Sequence, residues 1–224
     1  MMLQDRLDAF KADFEAGKPP FSVTPDVVVA MHRATGELIE SGLAERAKGV
    51  GDKAPAFALE NYDGQTIESA ALLAQGPLVL SFYRGVWCPY CNIELEALEA
   101  ALPAVKALGA NLVAISPQTP ANSAKSQRQN KLSFPILADA DGKIGEAFGL
   151  RFVMPDYLID VYKRAGIDLP AVNKDPSWSL PMPARYIIDS DGTIVAADIN
   201  PDYTKRPDPS ELLPVLERLK SAAS

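Results

Sequence analysis

Apolar positions near the start of the chain recur at helical spacing. Leu3, Leu7, Phe10 and Phe14 form one stripe, and Gly17, Pro19 and Pro20 close it, which predicts a helix over residues 3–16. Thr24 is a candidate N-cap, and Pro25 suits the first helical position. A second helix is predicted from there to about residue 41, where Gly42 stops it. Val27, Met31, Ala34 and Leu38 make its apolar face. A short helical piece extends to Lys48. Residues 1–48 therefore read as a helical extension. It is too small to bury a core alone, so it is expected to pack on the remainder of the chain or on a second subunit.

From Gly49 the pattern changes. Residues 56–59 read as a short extended piece and Asp63-Gly64 as a turn. Residues 78–83 (LVLSFY) are apolar on both faces, the signature of a strand in the middle of a sheet. A helix is predicted from Pro89 to about residue 108, with Leu95, Leu98, Leu102 and Val105 on one face and a local kink at Pro103. Residues 112–115 read as a second buried strand, 119–131 as a polar helix, 134–137 as a short strand, and 141–148 as a turn and short helix. Residues 150–180 carry Phe152, Tyr157, Tyr162 and Trp178 without a clear period. Residues 185–188 and 194–197 form a hairpin signal across Ser190-Asp191-Gly192. A last helix is predicted over 210–222, with Leu212, Val215, Leu216 and Leu219 inward. This succession predicts an α/β fold with a mixed central sheet over residues 49–224, its βαβ portion parallel and right-handed.

Composition narrows the class. The chain has 224 residues, 47% hydrophobic and 23% charged, which excludes a disordered chain. The net charge of −7 argues against a nucleic-acid or anionic-membrane partner. No apolar run approaches a membrane span, and the first residues lack the apolar core of a signal peptide, so the expected location is cytoplasmic.

Only two cysteines occur, Cys88 and Cys91, both in the run Trp87-Cys88-Pro89-Tyr90-Cys91. This run sits where the buried strand hands over to a helix. A sulfur there meets unpaired backbone N–H groups and the positive end of the helix dipole, and both favour thiolate. Pro89 lacks an N–H and pre-sets the first helical turn, which stiffens the motif. Two intervening residues on a helical turn bring the sulfurs to bonding distance. The result is a dithiol able to attack a disulfide or a peroxide and then close on itself. The competing readings are two structural cysteines, or half of a zinc site that lacks ligands nearby. His32 lies in the remote extension, although a dimer could pool two pairs. Arg84, at the end of the strand, is a candidate thiolate stabiliser; the alternative is a surface ion pair. Trp87 is a candidate docking surface, or core packing. No separate cofactor or metal is expected beyond the dithiol itself.

These residues resemble the AhpC/TSA peroxiredoxin-like family of the thioredoxin-like superfold. Gly51-Asp52-x-Ala54-Pro55-x-Phe57-x-Leu59 is similar to that family's opening, Phe82-Tyr83 and Cys91-x-x-Glu94-Leu95 to its active-site strand and helix, and the stretch from Arg185 through Asp189 to Gly192 to its late strand and hairpin. The likeness spans about residues 49–222. It places Cys91 on the family's peroxidatic cysteine. Three positions depart from the pattern: Arg84 stands for a proline, Cys88 for a threonine or serine, and Pro183 for the activating arginine. Arg185 is two positions late, about 6–7 Å along a strand, and is not carried over. Cys88 and Pro183 are what thioredoxins carry at these places, and the Cys-Pro-Tyr-Cys spelling, with Tyr90, also resembles glutaredoxins. The resemblance therefore implies a cis peptide at Met182-Pro183.

Two mechanisms are compatible with this pattern. In a thiol peroxidase, Cys91 attacks hydrogen peroxide or an organic hydroperoxide, Cys88 resolves the sulfenic acid, and a thioredoxin-like or glutathione reductant resets the pair. In a disulfide oxidoreductase, Cys88, expected to be the more exposed, attacks a disulfide substrate docked by Trp87 and the Pro183 loop, and Cys91 resolves it. A third class, a binding module or zinc-linked dimer, would leave the dithiol without turnover. The size of the helical extension makes a homodimer an expectation.

Overall fold

The computed structural model describes residues 1–222. The chain opens with three helices, α1 (Leu3–Glu15), α2 (Pro25–Glu40) and α3 (Leu43–Arg46). Thr24 holds the N-cap position of α2 and Pro25 is its first residue, as the sequence signal places them, but the Thr24 hydroxyl donates to Asp26 and caps no backbone N–H. Next come β1 (Ala58–Glu60), β2 (Thr66–Glu68) and the short helix α4 (Ser69–Leu73). The central unit is β3 (Leu78–Phe82), α5 (Pro89–Ala107) and β4 (Asn111–Ser116), followed by α6 (Pro120–Gln129), β5 (Ile136–Ala138) and α7 (Lys143–Ala147). The stretch without a clear period is β6 (Arg151–Val153), α8 (Asp156–Arg164), α9 (Leu169–Asn173) and β7 (Ser179–Pro181). The chain closes with β8 (Ala184–Ile188), β9 (Ile194–Ile199) and α10 (Leu212–Ala222).

Seven strands form one mixed sheet in the order β2-β1-β5-β4-β3-β8-β9. The β3–β4 and β4–β5 pairs are parallel, and β8 runs antiparallel to both β3 and β9. Every residue of β3 is buried, which explains its apolar reading on both faces. One apolar cluster fills the α5 side, where Leu95, Leu98, Leu102 and Val105 meet Leu3 and Leu7 of α1 and Leu212 and Leu216 near the C-terminus. A second fills the opposite side around Phe82, Phe148 and Tyr186. A third lies under α8, and Val27, Met31 and Ala34 of α2 pack on it. The first helix thus completes the core of this chain.

The expectation of a cis Met182-Pro183 peptide is corrected. Among the described residues the cis bond is Pro19-Pro20, and Met182-Pro183 is trans. Both sides of that bond are held extended by pairing. The Met182 N–H donates to Leu150 O at 2.8 Å, and Pro183 O accepts from Asn200 N at 3.2 Å, so the chain runs from β7 into β8 without a reversal.

Candidate active site

The site begins where β3 ends. Tyr83 continues the ladder by donating to Ile115 O, and a five-residue loop then carries Arg84 to Cys88. Gly85 sits at φ +144, and a Cβ there would fall 2.6 Å from Trp87 Nε1, so only glycine fits. The loop is pinned from three directions. Val86 N–H donates to Gln118 Oε1 at 2.8 Å, Asn92 Nδ2 donates to Val86 O at 2.9 Å, and Cys88 N–H donates to Gly85 O at 3.1 Å. Cys88 becomes the N-cap of α5, Pro89 its first residue, and Cys91 lies in its first turn.

The two sulfurs are 2.9 Å apart, and the Cys91 thiol donates to Cys88 Sγ. Both are free thiols and both are buried, Cys88 at 1% and Cys91 at 0% exposure. Cys88 is the more accessible of the two, as expected, but only as part of a cavity wall and not as an exposed sulfur. Their difference is electrostatic. Burial alone raises the Cys88 pKa. The Cys91 thiol, the Arg84 guanidinium, the Cys91 backbone N–H and Arg206 outweigh it and bring Cys88 down to about 6. For Cys91, burial acts first, and its proton shared toward Cys88 and the Cys88 charge add to it. Its pKa is pushed well above the ordinary thiol value, with Arg206 and Arg84 opposing. The negative charge of the pair therefore sits on Cys88.

A charged network lies on the inner side. Arg206 Nη2 is 4.0 Å from Cys91 Sγ, and Arg206 Nε donates to Glu94 Oε2 at 2.6 Å. Arg185 Nη2 is 3.8 Å from Glu94 Oε1 and also donates to Pro207 O. All three side chains are only 3% exposed. Glu94 is one turn along α5 from Cys91, so a carboxylate occupies a core-facing position and needs these cations.

On the outer side Arg84 lies in an aromatic cage. Its guanidinium carbon is 4.1 Å from the ring centre of Tyr203, 4.9 Å from Trp87 and 6.0 Å from Tyr162, and it donates to the Tyr162 hydroxyl. Cys88, Trp87, Pro89, Tyr90 and Arg84 line one cavity of about 340 Å³. Phe14, Val23, Val27 and Met31 of the first helical segment close its other wall.

The model of the AhpC/TSA family matches residues 50–197. The chain belongs to the AhpC/TSA family. It is similar to the Mycobacterium tuberculosis peroxiredoxin candidate Rv2521, 29% identical over 150 residues, covering 67% of this chain and 84% of that protein. It is also 24% identical to the thiol-disulfide oxidoreductase ResA of Bacillus cereus, covering 70% of this chain and 72% of ResA. In fold it resembles the crystal structure of peroxidoxin BcpB from Mycobacterium tuberculosis, with a TM-score of 0.61 at 20% identity, covering 79% of this chain and 99% of that one. The chain is a peroxiredoxin-like oxidoreductase with a thioredoxin-type α/β fold.

The fold brings together most of the residues singled out from sequence. Cys88, Cys91, Arg84, Trp87, Pro89 and Tyr90 all converge. Arg84 is buried at 4% exposure rather than making a surface pair. Trp87 packs edge-on against Tyr162 at 5.4 Å while also lining the cavity, so it is both wall and packing. Tyr90 packs against Phe10 and Tyr203. Pro183 lines a smaller cavity together with Arg84, Tyr162 and Tyr203, which also line the cavity of Cys88. His32 is exposed on α2 and bonds Glu15 at 2.6 Å. Sequence reading missed Arg206, Tyr203 and Tyr162, which come from segments without periodicity. It gave Glu94 no role of its own. An acidic residue in line with Leu95 and Leu98 was the available signal that a buried cation faces it.

Proposed function

We propose that this chain is a thiol peroxidase in which Cys88 supplies the attacking thiolate and Cys91 the resolving thiol. The observation that carries this reading is the asymmetry of the pair: Cys88 is held anionic on the wall of a cavity, with a protonated thiol 2.9 Å away. Cys88 thiolate attacks the outer peroxide oxygen, the O–O bond breaks, and an alcohol or water leaves after taking one proton. The sulfenic acid left on Cys88 is attacked by Cys91, which expels water and forms the Cys88–Cys91 disulfide. Closure needs the sulfurs to approach by less than about 1 Å, to the usual disulfide length. No bound cofactor is required, because the dithiol holds both electrons. An external thiol reductant, thioredoxin-like or glutathione-like, restores the pair. The roles are the reverse of those that family register assigns, since the Cys91 proton shared toward Cys88 lowers Cys88 and, with the Cys88 charge, adds to burial in raising Cys91.

Disulfide exchange is the second reading. The order of roles, first cysteine attacking and second resolving, and the likeness to ResA favour it. Against it stands the burial of Cys88, which a docking protein disulfide would have to reach through the first helical segment. The test is stopped-flow fluorescence of the reduced protein, with Trp87 as reporter. Mixing with hydrogen peroxide and with an alkyl hydroperoxide should give a change far faster than a free thiol of matched pKa. A rate equal to that of a free thiol, together with fast reaction on a protein disulfide, selects the second reading.

A further inference from the structure

Arg84 is a buried cation with an incomplete set of partners. It is 4% exposed, its Nε is buried without a hydrogen bond, and no carboxylate among the described residues forms an ion pair with it. Three aromatic rings and one hydroxyl surround it. A guanidinium does not deprotonate in a protein, and a buried charge left without an anion is costly. In the reduced protein the anion is the Cys88 thiolate, which lines the same cavity. Forming the disulfide removes that anion, because neither sulfur then carries charge. The oxidised protein therefore presents an unmatched cation to the cavity, and the reduced protein does not.

A ligand carrying a carboxylate gains from this difference only in the oxidised state. The molecule that must meet the oxidised state is the reductant. The cavity, about 340 Å³ and walled by Phe14, Val23 and Val27, has room for a small molecule. We infer that the reductant is a low-molecular-weight thiol bearing a carboxylate, anchored by Arg84. This rests on the redox-dithiol reading above. Its thiolate attacks Cys88 Sγ, breaking the Cys88–Cys91 bond, and Cys91 leaves as thiolate and takes a proton. A second thiolate attacks the outer sulfur of the mixed disulfide and releases Cys88 thiolate. Two thiols become one low-molecular-weight disulfide, and the protein gains both electrons.

The whole protein is oxidised with diamide, which requires no peroxidase activity. Loss of two titratable thiols per chain, restored by dithiothreitol, establishes the disulfide; if none forms, the dithiol reading falls and this inference with it. Reduction is then followed by Trp87 fluorescence with 3-mercaptopropionate, 2-mercaptoethanol and cysteamine at matched thiolate concentrations. The carboxylated thiol should react at least about tenfold faster than the neutral one, and the cationic thiol slowest. This order opposes the −7 net charge of the chain, so long-range attraction would not produce it. Propionate should slow mercaptopropionate and leave mercaptoethanol unchanged. Arg84→Met should erase the preference and Arg84→Lys keep part of it. Equal rates for the three thiols, no competition by propionate, or a preference that survives in Arg84→Met overturns the inference. The propionate competition needs only the wild-type protein, so it decides the matter even where Arg84→Met fails to fold.

Discussion

Cys88 and Cys91 share their neighbours and differ in which of them keeps a proton. Arg84 and Arg206 act on both sulfurs, and the Cys91 backbone N–H and thiol proton act on Cys88. The Cys88→Ser variant should lose the fast reaction with peroxide. Cys91→Ser should give one turnover and a Cys88 sulfenic acid that dimedone labels, read by mass spectrometry. The reverse pattern would return the attacking role to Cys91. In wild type the rate of the first step should rise with pH through about 6 and level off above it, falling about tenfold by one pH unit below that midpoint. Glu94 makes a separate prediction. Glu94→Gln leaves Arg185 and Arg206 buried without their shared carboxylate, and breaking such a pair costs about 3–5 kcal/mol. Urea unfolding of the variant measures it. A loss below about 1 kcal/mol, the range of exposed pairs, would mean that water reaches this network.

At the scale of elements, the parts most legible in sequence are those whose local pattern and tertiary role agree. The α5 stripe of Leu95, Leu98, Leu102 and Val105 is helical by spacing and buried in fact, and the hairpin of β8 and β9 turns at Asp191-Gly192 as its residues dictate. Residues 150–180 are illegible in sequence because β6 and β7 are three residues each and pair at long range, Arg151 with Pro181. Local patterning carries no record of such a pairing. The same limit hides half of the site: Tyr162 and Tyr203 reach Arg84, and Arg206 reaches Cys91, only through long-range packing. The first helix shows what that packing depends on. Gln4 Oε1 accepts from Arg206 N at 2.9 Å, and Asp208 Oδ2 accepts from Leu3 N at 2.8 Å, so α1 clamps the segment that carries Arg206. Leu7 is fully buried beneath that clamp. Leu7→Ala should cost about 2–5 kcal/mol in urea unfolding. It should also raise the rate at which an alkylating reagent reaches Cys88 in the native protein. Stability lost without a change in alkylation would separate α1 from the control of the site.

For the whole molecule, the thiolate couples redox state to stability. In the folded protein Cys88 titrates near 6, against 9.0 for an ordinary thiol. Between these values the unfolded chain binds one more proton than the native one at this position, so stability rises with pH. The contribution is fully present above 9 and is lost as pH falls through about 6. Cys91 acts in the opposite direction, and only above 9, where the unfolded chain loses a proton that the native protein keeps. The reduced protein, measured against the Cys88→Ser/Cys91→Ser double variant, should therefore gain stability from pH 6 to pH 9 and lose part of it beyond. The gain is on the order of a few kcal/mol, since each pH unit is worth about 1.4 kcal/mol. The disulfide form has no thiol to titrate and should show neither slope against the same reference. Urea midpoints for the three proteins at pH 5, 7, 9 and 10 measure the effect. Parallel curves for reduced and oxidised protein would mean that the Cys88 charge is not held by the fold, and the attacking thiolate would then have to arise only when substrate binds.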